Sequence, residues 1–349
     1  MYTLITGEYF VVGMSPDADS IKFKAHKPKL WDNLTADDPT KFADALKAED
    51  GIVTIRLEGI DALETHFTPP SLPTPKGLKA EFKDMKPPAK GNHHQNEKMG
   101  EQATTVFLSY MGYSNITWKR WGQNQWINQA TFTKDTQALT ITEKYKDAKP
   151  GYILTREAEK NGRPVGWVFN GKPPYADGTI LNAKQVGELV DESANAHLIK
   201  KGVVYPYFFM TLPGAIRTPL MAAAKKAQSA SKAVEGNVWK ADKTPQGIEI
   251  PTIDALHDEA IVYPYLFRRI VKQWYAKNFN EFWDDVQKKR TPKTEAQNNQ
   301  INMEGFFDEA DPWIFIISDQ DFVRLSSVLE VGKQTLKFTR YPYDIVFLS

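Results

Sequence analysis

The stretch GIVTIRLEGIDALETH (residues 51–66) decides how the rest of the chain is read. Gly51 to Ile60 is apolar and rich in β-branched residues, which is the signature of a strand. A single arginine, Arg56, interrupts it. Alternation along a strand sends Ile55 and Leu57 to one face, toward a core, and Arg56 to the other. Asp61 follows at the strand end, and Glu64 comes three residues later in the turn. Two meanings are open on residue types alone. The ordinary one is a surface ion pair between Arg56 and Glu64, with Asp61 capping a turn. The other is a site for a phosphodiester. Such esters resist water because their charge repels nucleophiles, so a catalyst must neutralise charge, position a water and take its proton. Carboxylates holding a hard cation do the first, an arginine fork does it too, and a glutamate can serve as the base.

The chain has 349 residues, 41% hydrophobic and 25% charged, enough for two cores. Its net charge of +1 hides a split. Residues 241–349 hold 13 basic and 17 acidic side chains, which leaves about +5 for residues 1–240. That surplus suits a polyanion partner without requiring one. The absence of cysteine excludes disulfides, thiolate metal sites and cysteine nucleophiles. No run of 18 apolar residues argues for a membrane span. The opening MYTLITGEYFVVG lacks a basic segment and a small-residue cleavage site. It predicts a cytoplasmic protein as written, or a secreted or periplasmic one if the start is processed.

Strands are expected at LITGEYFVVGM and DSIKFKA, separated by the acidic turn SPDAD. Residues 26–50 read as a polar insertion with a short helix near Phe42–Lys47. Residues 66–97, rich in Pro, Gly and Lys, read as an exposed loop. A helix is expected at Met99–Met111, then a strand pair in NITWKRWGQ and ATFTK with a further strand in ALTITEKY. Asn161–Gly162 marks a turn before a strand at Val165–Phe169. Residues 181–201 predict a helix broken near Asp191–Ser193, and MAAAKKAQSASKAVEGNVW another ending at a glycine. Beyond a linker at ADKTPQGIEIP come a long amphipathic helix over 258–289, a polar connector and a strand-rich end. The order of elements predicts an α+β protein built on a small antiparallel barrel.

IRLEGIDALETH resembles the central motif of the staphylococcal nuclease, or thermonuclease, family: an apolar strand with Arg, then Asp-x-x-Glu-Thr. SPDADSIKF resembles its Asp-Gly-Asp-Thr-Val segment, KMGEQATTVFL its first helix and KNGRPVGWVFNG its Tyr-Gly-Arg strand. NAHLIKKGVVYPY resembles its second helix, and AAAKKAQSASKAVEGNVW its last. The resemblance spans about residues 4–240. It implies an OB-fold five-stranded barrel with three helices, followed by a C-terminal α+β extension over 241–349. It further implies a Ca2+-dependent nuclease of low sequence specificity, cutting single- or double-stranded DNA or RNA and leaving 3′-phosphate and 5′-hydroxyl ends. Asp19, Asp61 and the Ala62 carbonyl would ligate calcium, with Asp17 orienting them from behind. Glu64 would be the general base, and Arg56 and Arg163 would grip the phosphate. Tyr205 and Tyr207 would contact the base, with core packing as the alternative.

The sequence departs from the family pattern at Ala18 and Ser20, at Leu63 where a proline is expected, at Asn161 where a tyrosine is expected, and through the insertions at 26–50 and 66–97. His93 and His94, with His66 upstream, are a weak metal candidate. Trp118, Trp121 and Trp126 among Lys119 and Arg120 read as a base-stacking surface or as half-buried barrel residues. Lys225 and Lys226 read as a solvated helix face. The competing functional classes are a non-catalytic nucleic-acid or peptide-binding module on the same barrel, and a nuclease effector or toxin. In the latter, 241–349 would be a recognition part for a protein partner.

Overall fold

The computed structural model describes residues 1–75, 86–121, 124–134, 136–146, 148–230 and 235–348. The chain divides into two compact units, residues 1–62 with 98–239, and residues 63–97 with 240–348. The segment expected to be a loop on the nuclease domain is therefore part of the same unit as the C-terminal region.

The first unit is mixed α and β around a closed five-stranded barrel. Its strands are β1 (Tyr2–Phe10), β2 (Ser20–Ala25), β3 (Ile52–Leu57), β4 (Lys149–Ala158) and β5 (Pro164–Asn170). The sheet runs β1–β2–β3–β5–β4 and closes where β4 pairs with β1. Among these five strands β3 and β5 pair in parallel and the other neighbours are antiparallel. In β2, Ile21, Phe23 and Ala25 are buried while the residues between them are only partly so, as a half-buried strand requires. A barrel this narrow bends its strands hard. Gly7 and Gly151 face each other across β1 and β4. A Cβ at Gly7 would lie 2.2 Å from the Lys24 carbonyl, and one at Gly151 would lie 2.3 Å from the Tyr9 ring. Nothing larger than glycine fits at either position.

The inserted segment 26–50 contains helix α1 (Pro39–Lys47), started by Asp38, whose side chain accepts from the Lys41 amide. Between α2 (Glu97–Tyr110) and β4 lies a further insertion, a three-stranded meander of Tyr113–Trp121, Asn124–Lys134 and Gln137–Ile141. Trp118 and Trp126 are half-buried on this meander and not in the barrel, and Lys119 lies over the Trp126 ring. Arg120 is paired with Glu101, and the Trp121 side chain is outside what the structure describes. The broken helix becomes α3 (Ala183–Leu189) and α4 (Ala194–Lys201). Its break falls where the Ser193 side chain caps α4, and Gly202 ends α4 in a left-handed conformation. The last helix of this unit, α5, runs Gly214–Ser229 and leaves Lys225 and Lys226 exposed. Its expected continuation over 231–234 lies outside the described residues.

The second unit is organised by α6 (Ile253–Asp258) and the longer α7 (Pro264–Gln287). The single helix expected over 258–289 begins later because Pro264 occupies the first position of α7, where its missing N–H costs nothing. Leu266, Phe267, Ile270 and Val271 are buried along α7. Trp274 and Asn278 of α7 both donate to the Asn298 carbonyl. Two small antiparallel sheets complete the unit. One contains Trp313–Ile316, Asp321–Arg324 and Ile345–Phe347; the other contains Ile248–Glu249, Leu329–Val331 and Thr335–Phe338. The expected loop 66–97 is not simply exposed. Phe67 and His93 form a reciprocal backbone bridge, and His93 and Gln95 are buried. Residues 76–85 of that loop lie outside the described residues. No helix among the described residues is long and apolar enough to cross a membrane.

Candidate functional site

The cluster in the first unit begins at the turn into β2. Ala18 is buried and holds a left-handed backbone, φ +68°. Side chains disfavour that conformation and glycine accepts it freely. The kink turns Asp19 inward: its side chain is buried, and its carbonyl accepts from the Leu57 amide at 2.8 Å. Asp17 is tied to Ser20, whose hydroxyl donates to Asp17 Oδ1 at 3.2 Å. From α2, Thr104 Oγ1 donates to the Pro16 carbonyl at 3.2 Å and steadies the same turn.

β3 supplies the cation. Ser20 and Arg56 are register partners on β2 and β3. The Arg56 guanidinium reaches Asp19 through Nη1 and donates from Nη2 to Asp61 Oδ1 at 2.9 Å. Asp61 is wholly buried, and the Ala62 amide donates to Asp19 Oδ2 at 3.2 Å. Residues 19, 56, 61 and 62 thus lie together, with Arg56 paired to the two aspartates and not turned to a free phosphate position. Burial pushes the Asp19 carboxyl well above its ordinary range; Arg56 opposes this, while Asp17 and Asp61 reinforce it.

Arg163 stands one residue before β5, whose Val165 is the register partner of Arg56. Its Nε donates to Glu159 Oε1 at 2.5 Å across the Asn161–Gly162 turn. Helix α1 backs that turn closely: a Cβ on Gly162, already at φ +80°, would lie 2.5 Å from the Lys41 carbonyl. The insertion 26–50 therefore braces the loop that carries Arg163.

Tyr205 pairs through its backbone with Asp61, but its ring is fully buried edge-on against Trp239. A ring with no accessible face cannot stack on a base, so packing is its role. Tyr207 is half-buried beside Phe209.

Glu64 belongs to the second unit, three residues along the chain from Asp61. Its backbone is gripped at both ends by Gln95: the Glu64 amide donates to Gln95 Oε1 at 3.2 Å, and the Gln95 amide donates to the Glu64 carbonyl at 2.7 Å. Gln95 is fully buried and donates through Nε2 to the Val262 carbonyl at 2.7 Å, just ahead of α7. The Glu64 carboxylate accepts from Arg268 Nη1, on α7, at 2.5 Å. Neither Gln95 nor Arg268 was expected at a site. The available signal was the Arg268–Arg269 pair inside the apolar run LFRRIV, since charge in a buried stripe needs a partner.

The histidine candidates resolve differently. His93 Nε2 lies 2.8 Å from the Lys90 carbonyl, so it carries the proton and donates. Nδ1 then accepts from His257 Nε2 at 2.9 Å. His66 is exposed beside Thr65. Burial keeps His93 below its ordinary value and pulls His257 down to about 4, with the neighbouring histidines adding to the effect on His257.

A hard divalent cation suits the chemistry of the barrel cluster. Asp19 and Asp61, the two carboxylates that Arg56 joins, are oxygen donors of the kind such a cation takes. Among the described residues Asp19 Oδ1 is buried with no hydrogen bond within normal geometry, which is a costly state for a carboxyl oxygen. Among the described residues no group of three or more His, Asp or Glu side chains is disposed to hold a metal ion.

No protein-family model matches this chain, and no curated protein does either.

Proposed function

We propose that this chain is a Ca2+-dependent phosphodiesterase of the thermonuclease type, hydrolysing DNA or RNA with little sequence preference. The observation that carries the reading is the pairing of Asp19 and Asp61 around Arg56 at the edge of a five-stranded barrel, with one Asp19 oxygen left without a partner. The left-handed turn at Ala18 supports it, because the motif this segment resembles has glycine there.

Asp19, Asp61 and the Ala62 carbonyl would hold the cation, with Asp17 orienting them, and calcium held there would supply positive charge to the phosphate oxygens. Arg56 donates to the phosphate as charge builds in the transition state, since a guanidinium has five donors and need not surrender both aspartates to do so. Arg163 exchanges Glu159 for a phosphate oxygen and assists the departing oxygen. Glu64 orients the attacking water and removes its proton.

The test is incubation of single-stranded DNA and RNA with the protein in Ca2+ or in chelator. Cleavage in Ca2+ alone is expected. A binding module on the same barrel would retard the nucleic acid in a gel and leave it intact in both conditions, which would end the enzymatic reading.

A further inference from the structure

The arginine pair of α7 divides its work. Successive residues on a helix point about 100° apart. Arg269 turns toward its own unit, donating to the Phe306 carbonyl at 2.9 Å and the Ala310 carbonyl at 2.6 Å, with its guanidinium over the Phe306 ring. Arg268 turns instead to Glu64. Its side chain is only 20% exposed, and that of Glu64 only 14%. A pair this far from water is screened little. It is also held from two sides, because Gln95 fixes the Glu64 backbone to the residue preceding Tyr263, which caps α7. Backbone and carboxylate of Glu64 are thus referred to the same rigid helix.

We infer that Arg268 is a positioning residue for the phosphodiester chemistry, fixing the direction of the Glu64 carboxylate. The inference rests on Glu64 being the general base, as proposed above. It also accounts for Leu63. Where the resembled motif stiffens the turn with proline, this chain has Leu63 and holds the next residue by Gln95 and Arg268. A base that must accept a proton at a set angle gains from losing rotational freedom.

The experiment compares the parent with Arg268→Gln, Arg268→Lys, Glu64→Gln and the double variant Arg268→Gln/Glu64→Gln, on single-stranded DNA in Ca2+ and by thermal melting. Arg268→Gln is expected to lower kcat about 10-fold with KM little changed. Arg268→Lys should recover part of the rate, and would carry the test if the glutamine variant failed to fold. In the Glu64→Gln background, Arg268→Gln should cost no further rate, and the double variant should melt no lower than the worse single variant. An unchanged kcat, a faster enzyme, or an equal loss in both backgrounds would overturn the inference while leaving the nuclease reading intact. A parent that cuts no nucleic acid would remove that reading and the inference with it, while the melting cycle would still report whether the ion pair forms.

Discussion

The two units each bury acidic groups next to an arginine, and they do so by opposite routes. In the first, the residues lie within one barrel edge, and β2 and β3 bring Asp19, Arg56 and Asp61 together by strand register. In the second, Glu64 and Arg268 are 204 residues apart and meet because segment 63–97 folds onto α7. Strand register is a local device, and it leaves a recognisable spacing in the sequence. Long-range docking leaves none. The units also differ in which protonation state their buried groups prefer. In the first, burial next to Glu157 pushes Glu58 up to about 7 despite Arg156, whose guanidinium lies 3.4 Å away. In the second, burial holds His93 and His257 neutral.

The largest expected effect tests whether the two routes serve one reaction. Glu64→Gln should lower hydrolysis of single-stranded DNA by at least ~100-fold, the low end for loss of a general base. A near-normal rate would remove Glu64 from the mechanism and leave its ion pair a purely structural feature of the second unit.

Next in size is cation-linked stability. A ligand bound only by the folded state stabilises by about 2.7 kcal/mol at 100 times its Kd, or several degrees of Tm for a unit of this size. Ca2+ should therefore raise the Tm of the parent by several degrees. Asp19→Asn should abolish that rise. A Ca2+-induced rise that persisted in Asp19→Asn would move the cation away from the barrel cluster.

The pH responses should have opposite signs. Glu58 has a folded-state value near 7 against an ordinary 4.5, so its contribution is complete below about pH 4.5 and is lost as pH rises through 7. Glu58→Gln should flatten that decline. His257 has a folded-state value near 4 against 6.5, so its contribution is complete above about pH 6.5 and is lost as pH falls toward 4. His257→Gln should flatten that loss. Hydrogen exchange resolved by unit, followed from pH 4 to 8.5, separates the two. Parallel pH responses in the two units would contradict the assignment.

The smallest effect is at the turn. Ala18→Gly relieves a left-handed backbone worth roughly 1–2 kcal/mol but loses a buried methyl worth ~0.8 kcal/mol, so a net gain of under about 1 kcal/mol is expected in chemical denaturation. A marked loss would mean that the methyl, and not the backbone, holds the turn.

Much of the barrel was legible because small barrels write their constraints locally. Alternation in SIKFKA and IVTIRL, the Asn161–Gly162 turn and Ser193 before α4 each act within a few residues. Asp19, Arg56 and Asp61 were singled out together by the resemblance of their segments, because their spacing alone fits an ordinary surface ion pair equally well. What the sequence concealed was tertiary. The meander over 113–141 has the alternation of any half-buried strand, so nothing in its residues separates it from barrel strands. Tyr205 sits where exposure and burial leave the same residue type. His93 and His94 in a Pro- and Gly-rich segment look solvated until His257 is placed beside them. Gln95 and Arg268 carry no motif at all, and their significance depends on Glu64 being docked between them.

Ca2+-dependent hydrolysis at the barrel cluster is read out by the ends left on a single-stranded oligonucleotide cut in Ca2+. Attack by a water oriented by Glu64, with the 5′ oxygen departing, predicts fragments bearing 3′-phosphate and 5′-hydroxyl groups, formed in Ca2+ and absent in chelator. Intact oligonucleotide in both conditions, or fragments ending in 3′-hydroxyl and 5′-phosphate, would contradict it.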